Sequence, residues 1–229
     1  MNATEKKTFK VLNLYACLGG NRYKWDEVAE EAGIEMEVTA VELDPEAARL
    51  YQERFPNDIV IVSDAHQYLL DHYKEFSFVW SSPPCPSHSR ARFWNTKAER
   101  IYPDMKLYQE IIFLKYNSKE NQKWVVENVI PYYEPLIPAY KIDRHLFWSN
   151  FNIRNPNSVR KINIVESVDE MNKLCKFHDY DFRRYKGEQF VYSMARNLVD
   201  YEIGKHIFET ALGIIRKKDT PQTSINFNI

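Results

Sequence analysis

Cys85 sits in the run Ser81-Ser82-Pro83-Pro84-Cys85-Pro86-Ser87-His88-Ser89, where two prolines before the thiol and one after it make a stiff loop. The apolar stretch Phe76 to Trp80 ahead of that loop reads as a strand, so the thiol is held in a defined direction at a strand end. Nucleophilic use requires thiolate, and an unperturbed pKa of about 8.5 leaves only a few per cent ionised at neutral pH. The N-terminus of a following helix, or the nearby His88, Arg90 and Arg92, would raise that fraction. A free cysteine is more often a small buried hydrophobe, so the thiol alone assigns nothing. Glu127, in Trp124-Val125-Val126-Glu127-Asn128-Val129, ends another apolar run and reaches the same edge. A carboxyl buried there keeps its proton near neutral pH, and it can donate to a ring nitrogen or accept from an amine. Its plainer role is to pair with an arginine. A nucleophilic thiol beside a hydrogen-bonding carboxyl suits addition to an electron-poor ring followed by group transfer.

A second group of residues reads as a binding site. Cys17-Leu18-Gly19-Gly20 leaves the apolar run Phe9 to Ala16 and enters a helical pattern from Asn21 to Ala32. Glycine there permits close backbone approach, and a helix N-terminus favours electron-rich ligand groups. The turn lacks both the full G-x-G-x-x-G pattern and the lysine of a phosphate-binding loop, which disfavours a nucleoside triphosphate. Glu42 closes the segment Met36 to Glu42, about 20 residues on, where an acid accepts hydrogen bonds from ribose hydroxyls. Asp64, after Ile59 to Val62, adds a further acceptor. Either acid also reads as a helix N-cap. Together they describe an adenosine-containing ligand with no required phosphate site.

These residues need a scaffold that brings strand ends together. Asp44-Pro45 opens a helix over Glu46 to Phe55, Ala65 to His72 reads as a short helix, and Pro103 to Tyr116 places Leu107, Ile111 and Leu114 on one helical face. Lys123 to Glu127 makes a fifth strand. Strands alternating with helices predict an α/β fold with a mostly parallel central sheet flanked by helices, and ligands bind beyond the carboxyl ends of such strands. Residues 140–153 add strand, residues 155–190 read as irregular and polar, Tyr201 to Lys217 as a last helix, and 218–229 as a flexible tail.

Composition sets the outer bounds. In 229 residues, 31 Lys and Arg face 32 Asp and Glu, yet residues 1–86 carry 8 basic and 15 acidic side chains while residues 87–187 carry 18 and 12. A basic middle rich in aromatics suits a polyanion with stackable bases, although a solvated charged face explains it equally simply. No run approaches the ~20 apolar residues that cross a bilayer, and Met1 to Lys7 lacks the apolar core of a signal peptide, so a soluble intracellular protein without a membrane partner is expected. Three cysteines with no secretion signal exclude a disulfide scaffold. Cys175 and His178 have no second ligand pair, so no metal is expected.

The order of these segments resembles the cytosine-5 DNA methyltransferase family over nearly the whole chain. Asn13-Leu14-Tyr15-Ala16-Cys17-Leu18-Gly19-Gly20 is similar to its first motif, Val41-Glu42-Leu43-Asp44 to its ribose-binding motif and Ser63-Asp64 to its adenine-binding acid. Ser82-Pro83-Pro84-Cys85 resembles the nucleophile loop and Glu127-Asn128-Val129 the motif whose Glu contacts the target base. Arg144-His145-Leu146-Phe147-Trp148 resembles the arginine-bearing strand, and Arg196-Asn197-Leu198-Val199 the C-terminal motif that completes the cofactor pocket. The resemblance implies a Rossmann-like methyltransferase fold. It implies that S-adenosylmethionine, leaving as S-adenosylhomocysteine, binds over Tyr15, Ala16, Cys17, Leu18, Gly19 and Gly20, with Glu42, Leu43, Asp64, Ala65, Pro84 and Asn197 completing the pocket. It further implies that Cys85 attacks C6 of a cytosine swung out of double-stranded DNA, that Glu127 holds N3 and the amine, and that Arg144 contacts the base carbonyl or a phosphate. Ser87, His88, Arg90, Arg92, His145, Arg183, Arg184 and Lys186 become the nucleic-acid contacts, with Arg160, Lys161, Lys173 and Lys176 as further backbone candidates. On this reading residues 1–154 are the catalytic and cofactor-binding core, 155–190 a short recognition-like segment, and 191–217 a segment returning to the core, in the cytoplasm of a bacterial or phage-infected cell.

The sequence also departs from that pattern. Cys17 replaces the first glycine of the first motif, Pro86 follows the nucleophile where many members carry Gln, and Arg196 precedes Asn197 where Gly is usual. Alignment on Phe147 puts His145 where the second arginine should stand, which makes it the fallback for Arg144. The recognition segment is short, which implies loose specificity or a protein partner that supplies it. Two other readings stay open: a cytosine-5 methyltransferase of structured RNA, and a non-catalytic or split-subunit nucleic-acid-binding protein.

Overall fold

Four short apolar runs, FKVLNL, MEVTAVE, FVWS and KWVVENV, form strands covered on both faces, which is why they read as continuous apolar segments and not as alternating ones. They belong to a seven-stranded sheet in a computed structural model that describes residues 8–90, 99–156 and 166–225. The strands are β1 (Phe9–Leu14), β2 (Met36–Glu42), β3 (Ile59–Val62), β4 (Phe78–Ser81), β5 (Lys123–Val129), β6 (Tyr140–Ile142) and β7 (His145–Ser149), in the order β3-β2-β1-β4-β5-β7-β6. β1 to β5 run parallel, and β7 pairs antiparallel with β5 and β6. This is the predicted α/β, Rossmann-like architecture. The order reverses between β1 and β4, where Leu14 pairs with Ser81, and that switch point opens a crevice at the strand ends.

Helices cover both faces. α1 (Trp25–Ala32) and α7 (Tyr201–Ala211) bury Trp25, Ile207 and Phe208 against Phe78, Trp80 and Phe147. α3 (Ala65–His72) and α4 (Lys106–Asn117) bury Leu69, Leu107, Ile111 and Leu114 against Leu12 and Val79 on the other face. α2 (Pro45–Arg54) starts on an Asp44 cap that accepts from the amides of Glu46 at 2.9 Å and Ala47 at 3.3 Å. Among the described residues no helix is long and apolar enough to cross a membrane.

Three stretches differ from the sequence reading. Residues 155–190 are not irregular throughout: α5 (Val168–His178) starts on a Ser167/Glu170 capping box and buries Met171, Leu174 and Cys175 against Ala47 and Leu50 of α2. A short helix, α6 (Val191–Arg196), leads into Asn197. The last helix stops at Ala211 instead of Lys217, because Gly213 takes a left-handed φ of 78°. The described part of the expected flexible tail is laid back on the core, with Thr220 pairing with Asn155 and the Ile225 amide donating to the Ala139 carbonyl at 2.8 Å.

Candidate active site

The ends of β1, β2, β4 and β5 frame one cleft of about 810 Å³, within the usual size of a cofactor site. Its binding half is built on the turn after β1. Tyr15 and Cys17 hold left-handed backbone at φ 55° and 49°, costly for residues with a Cβ. That turn aims the Cys17 amide at Glu42, which accepts it at Oε2 at 2.7 Å and takes the Asp44 amide at Oε1 at 3.0 Å. Glu42 is therefore not a helix cap. Each of its oxygens keeps a lone pair for a ligand hydroxyl, and burial pushes its carboxyl above the usual range. Asp64 does cap α3, accepting from His66 and Gln67 through Oδ1, and these bonds hold its pKa low. Leu43 is 66% exposed and offers an apolar face beside the two acids.

The residues present fit a ligand with adenosine and a positive charge. Among the described residues, Glu42, Asp44, Glu46, Asp64, Asp104 and Glu188 line the cleft with Lys106 and Arg196 as its only Lys or Arg, a balance that would repel a phosphate chain. Asn197, Ala65 and Pro84 line it too. Ala16, Leu18 and Gly20 are buried behind it and absent from its lining, as is Gly19. The glycines shape the turn: a Cβ on Gly19 would meet the Phe55 ring at 2.2 Å, and one on Gly20 the Val199 carbonyl oxygen at 2.4 Å. Cys17 lines the cleft, its Sγ 2.8 Å from Met194 Sδ.

The chemical half lies at the ends of β4 and β5. The Cys85 carbonyl accepts the amides of His88 and Ser89, closing a turn, and the Asn128 amide nitrogen donates to the Pro83 carbonyl at 2.9 Å. Asn128 thereby ties the loop that carries Cys85 to the end of the strand that carries Glu127, a role the sequence motif did not reveal. Asn128→Ala is expected to lower the single-turnover rate about 10²-fold, the scale of a misplaced reacting group, with cofactor affinity unchanged by calorimetry. Burial, with the Glu127 charge as the next cause, raises the Cys85 thiol to about 11. Burial raises Glu127 to about 7, against a hydrogen bond from Ser82 and the Arg144 charge. Cys85 is thus held as a thiol at neutral pH, and of the described basic groups only the Arg144 charge acts to lower it.

Placement corrects several expected contacts. His88 is fully buried with Nδ1 2.6 Å from the Tyr133 hydroxyl, and Ser87 is buried with its Oγ accepting the Asp104 amide at 3.0 Å. Both brace the loop and cannot reach a nucleic acid from there. Arg144 does not line the cleft; its Nη2 donates to the Arg196 carbonyl at 3.2 Å, and it acts on Cys85 and Glu127 through its charge. His145 does line it, with Nε2 3.6 Å from Glu127 Oε1. Burial and then Arg144 push that imidazole down to about 3, so it is neutral. Arg90, Arg183, Arg184 and Lys186 are exposed, the middle two paired with Asp181 and Glu53. Arg92, Arg160 and Lys161 lie outside the described residues.

Glu110 is a buried carboxylate that the sequence did not mark. It accepts from Tyr15 at 2.6 Å and Ser81 at 2.5 Å and lies 2.9 Å from His66 Nδ1, locking the β1 and β4 ends together beneath the cleft.

A family model described as C-5 cytosine-specific DNA methylase matches residues 9–130, from the start of β1 to just past β5. Comparison with curated proteins gives no match. Among solved structures, a variant of Spodoptera frugiperda DNMT2 is 12% identical, with 90% of this chain and 99% of that one covered and a TM-score of 0.49. A putative DNA modification methyltransferase of an E. coli prophage is 17% identical over 62% of this chain and 46% of its own, with a TM-score of 0.38. Entamoeba histolytica methyltransferase EhMeth is 16% identical over 54% and 38%, with a TM-score of 0.37. This chain spans less than half the length of the latter two. With more than half of its residues inside the family model, the chain belongs to the C-5 cytosine-specific DNA methylase family, whose methyl donor is S-adenosylmethionine.

Proposed function

We propose that this chain transfers a methyl group to C5 of a cytosine in double-stranded DNA, with Cys85 as the covalent nucleophile. The observation that carries the reading is one cleft holding a loop-braced thiol, a carboxyl that keeps its proton up to about pH 7 and a pair of ribose acceptors. A stacked base hides its C6, so the cytosine must leave the duplex to reach Cys85. Cys85 gives up its thiol proton to solvent, and bond formation between its Sγ and C6 pushes the ring electrons toward N3 and C5. Glu127 gives its proton to N3 and accepts from the exocyclic amine. S-adenosylmethionine supplies, when bound, an electrophilic methyl on a positively charged sulfur. Carbon 5 takes that methyl as the methyl–sulfur bond breaks, then loses its hydrogen as a proton to solvent; the electrons of that C–H bond restore the C5–C6 double bond, Cys85 leaves with the electrons of the C6–S bond, and N3 gives its proton back to Glu127. Glu42 fixes the donor through its ribose, and His145 offers a neutral donor and acceptor beside Glu127. Arg90, Arg183, Arg184 and Lys186 supply phosphate contacts, and a partner chain supplies sequence specificity that the short segment 155–190 lacks.

The test is transfer of labelled methyl from S-adenosylmethionine to unmodified mixed-sequence duplex DNA, with a ribose version of the same sequence run beside it. 5-Methylcytosine in the DNA alone supports the proposal. Label in the RNA alone moves the substrate, and label in neither, with nucleic acid still bound, favours a binding or split-subunit role.

A further inference from the structure

We infer that residues 185–189 are a cofactor clamp, with Tyr185 as the residue that positions it. The inference rests on the reading of this cleft as the S-adenosylmethionine site. Tyr185 follows the 3₁₀ turn Phe182–Arg184 and is 2% exposed, packed in one cluster with Leu18, Leu50 and Met194. Its hydroxyl donates to Asp44 Oδ2 and accepts the Gln189 amide at 3.2 Å, closing the five residues into a loop. Asp44 uses its other oxygen to cap α2 and gives its own amide to Glu42 Oε1 at 3.0 Å. A continuous chain of hydrogen bonds therefore runs from the ribose acceptor through Asp44 and Tyr185 to the far end of the loop. Gly187, Glu188 and Gln189 of that loop line the same cleft as Glu42, Leu43 and Asp44. Gly187 is required for the shape, since a Cβ there would meet the Tyr185 hydroxyl at 2.2 Å.

The segment that the sequence suggested for reading DNA thus spends its C-terminal end on the cofactor. The clamp resists departure of the bound ligand only while Tyr185 holds it in register with Glu42, so loosening it acts on cofactor affinity and dissociation before it acts on chemistry.

The experiment measures S-adenosylmethionine and S-adenosylhomocysteine binding by calorimetry and stopped-flow dissociation on the full chain, for the wild type, Tyr185→Phe and Gly187→Ala. Removing a hydrogen bond to a charged acceptor is expected to weaken Kd about tenfold in Tyr185→Phe, mostly through faster dissociation, with the melting temperature of the ligand-free protein little changed. Gly187→Ala shifts Kd the same way, and it carries the test if Tyr185→Phe fails to fold. Kd within about twofold of the wild type in the folded variants overturns the clamp. So does a fall in ligand-free melting temperature that tracks the loss of affinity, which marks a purely structural role. A wild type that binds neither ligand removes the cofactor reading itself, a result distinct from either.

Discussion

Cys85→Ala is expected to lower methyl transfer by about 10⁴-fold or more while S-adenosylmethionine affinity stays within about threefold. The asymmetry follows from the two halves of the cleft. The Glu42 carboxyl is fixed by the amides of Cys17 and Asp44, and the β1 end by the bond from Tyr15 to Glu110, none of which relies on the thiol. Transfer, by contrast, needs electron density at a ring carbon that an intact cytosine does not supply, and only addition at C6 creates it. Alanine fills nearly the same space in the proline-braced loop, so the fold should be retained. A substrate whose C5 hydrogen is replaced by fluorine sharpens the measurement. Fluorine cannot leave as a cation, so the wild type should accumulate a denaturant-stable protein–DNA adduct that Cys85→Ala does not form. Residual transfer above about one per cent of wild type in the variant would sink the covalent assignment.

The parts of this site that the sequence disclosed are those fixed by short stretches of chain. β2, β3 and α3 occupy the ranges expected of them because an apolar run between turn signals is a local property. The same holds for Cys85 and Glu127, each named by the strand that ends beside it. Contacts made across the fold were not legible. Glu110 looks like a solvent-facing acid in the pattern KLYQEIIF, and only the packing of α4 under β1 and β4 turns it inward to Tyr15 and Ser81. α5 was hidden because its apolar residues meet partners on α2, more than a hundred residues away in sequence, amid a polar stretch. The choice between Arg144 and His145 hung on where a strand begins. Arg144 falls in the turn between β6 and β7, while His145 is the first residue of β7, paired with Val129 and turned toward Glu127. Adjacent residues point to opposite sides, so an offset of one exchanges a cleft residue for one that acts from behind.

Glu127→Gln should change not only the rate but the shape of its dependence on pH. Loss of the proton donor to N3 is expected to cost about 10²- to 10⁴-fold at neutral pH. In the wild type the reactive form needs Cys85 ionised and Glu127 protonated, with the thiol raised to about 11 and the carboxyl to about 7. Between these values each rise in pH gains thiolate and loses protonated carboxyl in equal measure, so the single-turnover rate is level above about pH 7 and falls about tenfold per unit below it. Glutamine removes the compensating titration. The variant's rate should therefore climb throughout the range from pH 6 to 9, toward a thiol ionisation lower than in the wild type because the nearby carboxylate charge is gone. Stability gives an independent check of the same group. Its carboxyl is raised on folding from an ordinary 4.5 to about 7, so the native state holds the proton more tightly. The associated stability is fully present below about pH 4.5 and is lost as pH rises through about 7, a change on the order of 3 kcal/mol. Glutamine carries no such penalty, so Glu127→Gln should melt above the wild type at pH 8, with the gap closing toward pH 5. Parallel pH profiles for rate, or a melting difference that does not vary with pH, would show that Glu127 does not carry the proton assigned to it.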